Sequence, residues 1–235
     1  MSLYRFIMYL FASVITTTGC SSVPCTETDS LAANPKHVEL FDHRNFCVVC
    51  TFNDAELSPD TLHNSVHYNA NISASYVYGT VMDGLDLTFA FMYAIKGERF
   101  TIKNSKVHMI NLTYSDLPYF TFINNQGSLV NFTGSGLNYG NFRDVELKDA
   151  IFSGTALWET NFTNAWLPQS QFINAYLNET NFTNAQLPNS DFTDATLVQV
   201  DFTNANLLGA KINEEQLADT IVCNAILPDG SRGHC

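Results

Sequence analysis

The sequence predicts a solenoid, a chain that turns a corner every five residues around one dry interior, and three observations predict it. From Phe52 to Leu217 every fifth position carries Phe, Leu, Ile, Val or Met, broken only at His67, Gly97 and Gly127. Two residues before the lattice points of the most regular stretch stands something small or short: Thr160, Ala165, Ser170, Ala175, Thr180, Ala185, Ser190, Ala195, Val200 and Ala205. The run from Trp158 to Leu177 is nearly copied from Asn178 to Leu197, and more loosely from Val198 to Asn213. Neither the helical period of 3.6 nor the strand period of 2 generates such a pattern. A corner every five residues does, with the large residue and its small partner both pointing inward.

The run from Trp158 to Asn213 resembles the pentapeptide repeat family, whose consensus is a small residue, a polar one, Leu or Phe, and two variable residues. The resemblance implies an all-β fold, a right-handed quadrilateral parallel β-helix with four pentapeptides per coil and short helical or loop caps. Residues 20 apart then stack. Phe142, Phe162, Phe182 and Phe202 form one interior column, Phe152, Phe172 and Phe192 the opposite one, and Leu147, Leu167, Leu187 and Leu207 a third. About eight coils at roughly 4.8 Å each make a rod about 40 Å long, and each buried Phe or Leu contributes about 1.5 to 3 kcal/mol. Outside, Asn164, Asn184, Asn204 and Thr163, Thr183, Thr203 stack as polar ladders. Between Gly97 and Gly127 the small position often holds something bulky (Phe100, Ile110, Phe120), so bulged or irregular coils are expected there.

In chain order, residues 1–19 read as an export signal: Arg5, an apolar run from Phe6 to Ile15 too short to span a bilayer, then a small-residue junction. Gly19-Cys20-Ser21-Ser22 resembles a bacterial lipoprotein cleavage site, departing from it at Thr17, where Leu is usual. The resemblance implies lipid on Cys20, a membrane contact through that lipid alone, and a place in the bacterial cell envelope, lipid-anchored or periplasmic. Residues 20–46 form a linker and cap, in which Pro35 opens a short helix through Phe41.

The repeat domain spans 47–212. It opens on Cys47-Val-Val-Cys50, which looks like the entry motif of many pentapeptide repeat domains. A thioredoxin-type reading of that pair needs a βαβ context, and a zinc site needs a second ligand pair, so a structural cap with a disulfide is preferred. Residues 213–235 form the second cap, with a short helix at 213–220, a turn at Pro228-Asp229-Gly230 and a bond from Cys223 to Cys235, which would be worth about 3 kcal/mol in the chain-entropy model. Caps are needed because the first and last coils otherwise present open edges to another chain, which also makes a homodimer through the solenoid ends a candidate assembly.

Composition narrows function by exclusion. Charged residues are 14% and the formal net charge is −12, which disfavours nonspecific binding to nucleic acid or anionic lipid. No Gly-rich phosphate loop, nucleophile elbow or metal-spaced His pair occurs in the repeats, so no catalytic residue, cofactor or metal is expected. His67 falls on an inward lattice point and reads as a core residue or register break. Asn-x-Thr/Ser triplets at Asn71, Asn111, Asn131, Asn161, Asn178 and Asn181 arise mostly from the repeat itself.

Three functions follow: an exported noncatalytic rod that binds a protein partner, a DNA-mimicking protein that binds gyrase, and a secreted effector with chemistry among Asp83, Asp86, Tyr93, His108 and Asp116. Export argues against the second, as do outer columns of Asn and Thr where a duplex mimic needs rows of carboxylates. Tyr76, Tyr78, Tyr119, Tyr139, Trp158, Trp166 and Tyr176 lie beside lattice points and should face outward, without a continuous aromatic stripe in the regular part.

Overall fold

The computed structural model describes residues 61–63 and 71–235. The leader, Cys20, the 20–46 segment, Cys47, Cys50 and His67 lie outside the described residues. Five short strands, β1 (Thr61–His63), β2 (Val81–Asp83), β3 (Thr101–Lys103), β4 (Gln126–Ser128) and β5 (Glu146–Lys148), pair in parallel in the orders β1-β2-β3 and β4-β5. Every strand pair joins residues 20 apart, as in Met82 with Ile102. Single parallel bridges continue the same spacing from Asn71–Phe91 to Asn206–Ile226. The molecule is an all-β, four-sided parallel β-helix with a 20-residue coil.

The corner at Phe162–Ala165 has the form of a type II turn. Ala165 N–H donates to the Phe162 carbonyl at 3.0 Å, and the residue before Ala165, Asn164, has φ +61. From Ala74 to Gly209 every fifth residue lies in this left-handed region, where side chains branched at Cβ fit worst. No Val, Ile or Thr occupies any of these positions. Pro118 and Pro188 take the preceding turn position, where φ is already set. Between corners the backbone bonds to the neighbouring coils: Asn161 N–H reaches Gly140 O at 2.9 Å, and Phe162 N–H reaches Asn181 O at 2.7 Å.

Inside, the two Phe columns run as stacked ladders. Phe162 stacks on Phe142 and on Phe182, each at 4.9 Å, and Phe172 on Phe152 and Phe192 at the same spacing. Across the interior the columns meet edge to face, Phe152 against Phe162 at 5.4 Å and 87°. All of these rings are fully buried, and each ring pair adds about 0.5 to 1.5 kcal/mol beyond burial. Small-position hydroxyls do not interrupt this dry core where they donate to carbonyls, as Thr160 Oγ1 does to Leu137 O at 3.0 Å and Thr180 Oγ1 to Leu157 O at 2.7 Å.

The segment from Gly97 to Gly127 is not bulged, contrary to the sequence expectation. The 20-residue bridges pass through it unbroken, at Lys96–Asp116, Thr101–Thr121, Lys106–Gln126 and Asn111–Asn131. Volume has moved between the two inward positions of a pentapeptide: Ile95 is large where Gly97 is small, and Asn125 is large where Gly127 is small. The coils approach so closely there that a Cβ on Gly97 would lie 2.7 Å from Val77 O, and one on Gly127 2.8 Å from the Val107 carbonyl carbon.

At the C-terminal end, α1 (Glu214–Leu217) is started by a capping box between Asn213 and Gln216. The lattice therefore leaves its regular course before Leu217, and resumes in register when Ile221 bridges Asp201. Gln216 Nε2 donates to Phe192 O at 2.7 Å and Ala195 O at 2.9 Å, closing carbonyls at the end of the stack. The tail folds back, with Arg232 bridging Ile226 in antiparallel fashion and Gly233 N–H donating to Ala225 O at 2.9 Å. Cys223 and Cys235 are joined by a disulfide.

Candidate functional site

The coil assigns each outward residue to one of four sides. Asp83, Tyr93 and Asp116 belong to three different sides, while Asp86 and His108 share the remaining one, so the fold does not assemble these five residues into one constellation. Each described partner is local. Asp83 pairs with Lys103 at 3.3 Å and accepts from Asn104 Nδ2 at 2.7 Å, Asp86 accepts from Thr88 Oγ1 at 2.6 Å, and His108 Nδ1 meets Ser128 Oγ at 2.6 Å. Tyr93 lies edge-on to Tyr114. Among the described residues no group of His, Cys, Asp and Glu could hold a metal ion, and no buried side-chain nitrogen or oxygen lacks a hydrogen-bond partner.

The surface polar residues serve the corners. Asn161 Oδ1 accepts from both the amide and hydroxyl of Thr163, at 2.9 and 2.6 Å, and Asn111 and Asn131 do the same for Thr113 and Thr133. These Asn-x-Thr triplets are stitches across a turn. One position after each stitch of the regular part, Asn164 donates to Asp144 at 2.9 Å, Asn184 to Asn164 at 3.2 Å and Asn204 to Asn184 at 3.1 Å, forming the polar ladder.

One salt bridge stands out by its geometry. Lys211 Nζ lies 2.6 Å from Asp191 Oδ2. Burial pushes the Asp191 carboxyl up, but the hydrogen bond from Lys211 and those from the Thr193 hydroxyl and amide outweigh it and hold the group below the usual carboxylate value.

Ahead of the most regular stretch, and ending at its first residue, three outward aromatics form a short stripe that the sequence did not reveal. Tyr119 stacks on Tyr139 at 5.0 Å, and Tyr139 meets Trp158 at 5.8 Å. Tyr139 and Trp158 are 19 residues apart, so a column of residues 20 apart does not contain both. Across a turn, however, Tyr139 N–H donates to the Trp158 carbonyl at 2.8 Å, and neighbouring columns touch. Tyr176 and Trp166 are exposed on other columns.

Among the described residues no helix is long and apolar enough to cross a membrane. Residues 145–221 match the family model described as pentapeptide repeat region. No curated protein matches the chain. Solved structures with a similar fold include HetL, a pentapeptide repeat protein involved in heterocyst differentiation regulation from the cyanobacterium Nostoc sp. strain PCC 7120. It is 18% identical, the match covering 80% of this chain and 92% of that chain, with a TM-score of 0.30. Full-length QnrB1, a plasmid-mediated fluoroquinolone resistance protein, is 14% identical over 79% of this chain and 93% of that one, with a TM-score of 0.34. The pentapeptide repeat protein Rfr23 from the cyanobacterium Cyanothece 51142 is 23% identical over 45% and 63%, with a TM-score of 0.28. Likeness at this level says nothing about activity.

Proposed function

We infer that this chain, which carries a pentapeptide repeat region over residues 145–221, is a noncatalytic rod exported to the bacterial cell envelope, where its outward sides bind a protein partner. The observation that carries the reading is the Cys223–Cys235 disulfide in a chain whose first 22 residues have the pattern of a lipoprotein leader. Disulfides persist in oxidising compartments and are rare in the cytosol. Cys20 is the proposed lipid anchor, and the membrane is met through that lipid alone. The noncatalytic part of the reading is supported by the dispersal of Asp83, Asp86, Tyr93, His108 and Asp116 over all four sides of the coil.

Gyrase binding through duplex mimicry draws no support from the outer columns, where Asn164, Asn184 and Asn204 stand in place of carboxylates. Cell fractionation with radiolabelled palmitate tests the location. Label should appear on the protein in the envelope fraction and disappear in a Cys20→Ser variant. An unlabelled, cytosolic product would contradict the reading.

A further inference from the structure

One side of the rod combines a shallow floor, an aromatic wall and, at Glu159 and Glu179, carboxylates with no Lys or Arg beside them on that side. Its outward column runs Lys96, Asp116, Gly136, Ala156, Tyr176, Thr196, joined by bridges 20 residues apart. At Gly136 and Ala156 there is almost no side chain, so for two coils the surface drops to the backbone. Along one edge of that step stands the ladder Tyr119–Tyr139–Trp158, whose members are 47%, 36% and 45% exposed although they touch one another. The same edge continues into Glu159 and Glu179, and Asp116 closes the step at its other end. Beyond Arg99, no Lys or Arg occurs on this side, at positions 116–119, 136–139, 156–159, 176–179 or 196–199.

We propose that this side is the docking surface of the rod and that its occupant is an extended, arginine-bearing segment of a partner protein. The proposal rests on the binding-rod reading above and names the partner's chemistry. Exposed rings beside carboxylates recognise a guanidinium twice, through its charge and through stacking of its plane on the ring. Each carboxylate alone, in water, would contribute little. From Tyr119 to Glu179 the surface rises three coils, about 14 Å at roughly 4.8 Å per coil, which matches about four residues of extended chain. The backbone-level floor at Gly136 and Ala156 gives such a segment room to lie flat.

Fluorescence anisotropy of a fluorescein-labelled nona-arginine peptide, titrated with the purified full chain, tests this, with nona-lysine as the comparison. Nona-arginine should bind about threefold more tightly than nona-lysine. Tyr139→Ala with Trp158→Ala should weaken binding about tenfold, as should Glu159→Gln with Glu179→Gln. The same change of charge on the opposite side, Glu146→Gln with Asp149→Asn, should alter it less than about twofold, because exposed charges beyond a Debye length are screened. Should the alanine pair melt early, Tyr139→Leu keeps the bulk and removes the ring. Equal weakening by the two charge pairs, full affinity without the rings, or absence of binding would overturn the proposal. The assay is independent of cell location, so a cytosolic product would sink the envelope reading and leave this surface standing.

Discussion

Asn125 shows how one side chain can stand in for a turn. At the corner after β3 the bond from the third residue after the lattice position back to that position, as made by Ala165 to Phe162, is missing. Asn125, fully buried, fills the gap by accepting from Ser105 N–H at 3.0 Å and donating to Ile102 O at 2.8 Å. Asn125→Ala leaves both backbone groups buried and unpaired, so chemical denaturation should show a loss of about 1 to 3 kcal/mol. A change below a few tenths would mean that the coil closes its own turn when the amide is removed.

A second residue-scale prediction concerns acid. Since the folded value of Asp191 is depressed, its pairing with Lys211 contributes fully above the unfolded value, about 3.9, and that contribution is lost as pH falls through the folded value. The Lys211 side chain is 74% exposed, so the pair is worth no more than about 1 kcal/mol. Lys211→Gln should melt slightly earlier than the parent at neutral pH, and the gap should close in strong acid. A gap that widens in acid would show the sign to be wrong.

The corners and the cap are the elements on which the rod depends. At corner position Asn164, φ +61 predicts that Asn164→Gly is nearly neutral whereas Asn164→Val costs about 1 to 2 kcal/mol, read as a shift in melting temperature. Equal shifts would show that the corner is not held in the left-handed region. At the cap, Gly233 sits so close to the last coil that a Cβ there would collide with the Val222 carbonyl oxygen. Gly233→Ala should displace the tail and uncover the edge of the final coil, and light scattering should then detect association of copies through that end. A variant that stays monomeric with its tail still protected from amide exchange would contradict this.

The corners were partly legible in the sequence. The spacing of five placed them, and the absence of Val, Ile and Thr at every fifth residue, with Pro118 and Pro188 one step before, is the signature of a type II turn. The swaps Ile95/Gly97 and Asn125/Gly127 were not recognised, because a lattice counted at one inward position cannot see volume moved to the other. The aromatic edge escaped for a related reason: Tyr139 and Trp158 belong to adjacent columns, and only the geometry of the turn brings them together.

At the scale of the whole molecule, the rod is a one-dimensional stack in which each coil bonds to its neighbours, and stability grows coil by coil. The interior columns Phe142 to Phe202 and Phe152 to Phe192 could be written down from the sequence because their period is that of the coil. The docking side could not, since it depends on what small residues such as Gly136 and Ala156 leave uncovered. All of it rests on a winding of 20 residues per coil. The most direct test compares thermal unfolding, followed by circular dichroism, in two deletions. Removing residues 178–197 takes out one coil and brings Leu177 to Val198 in register, so unfolding should remain cooperative at a modestly lower temperature. Removing 180–197, two residues fewer, moves every later Phe and Leu off its column, so the coils from 198 onward and their cap should be lost and the transition should become broader and fall to a much lower temperature. Indistinguishable melting of the two would contradict the 20-residue winding.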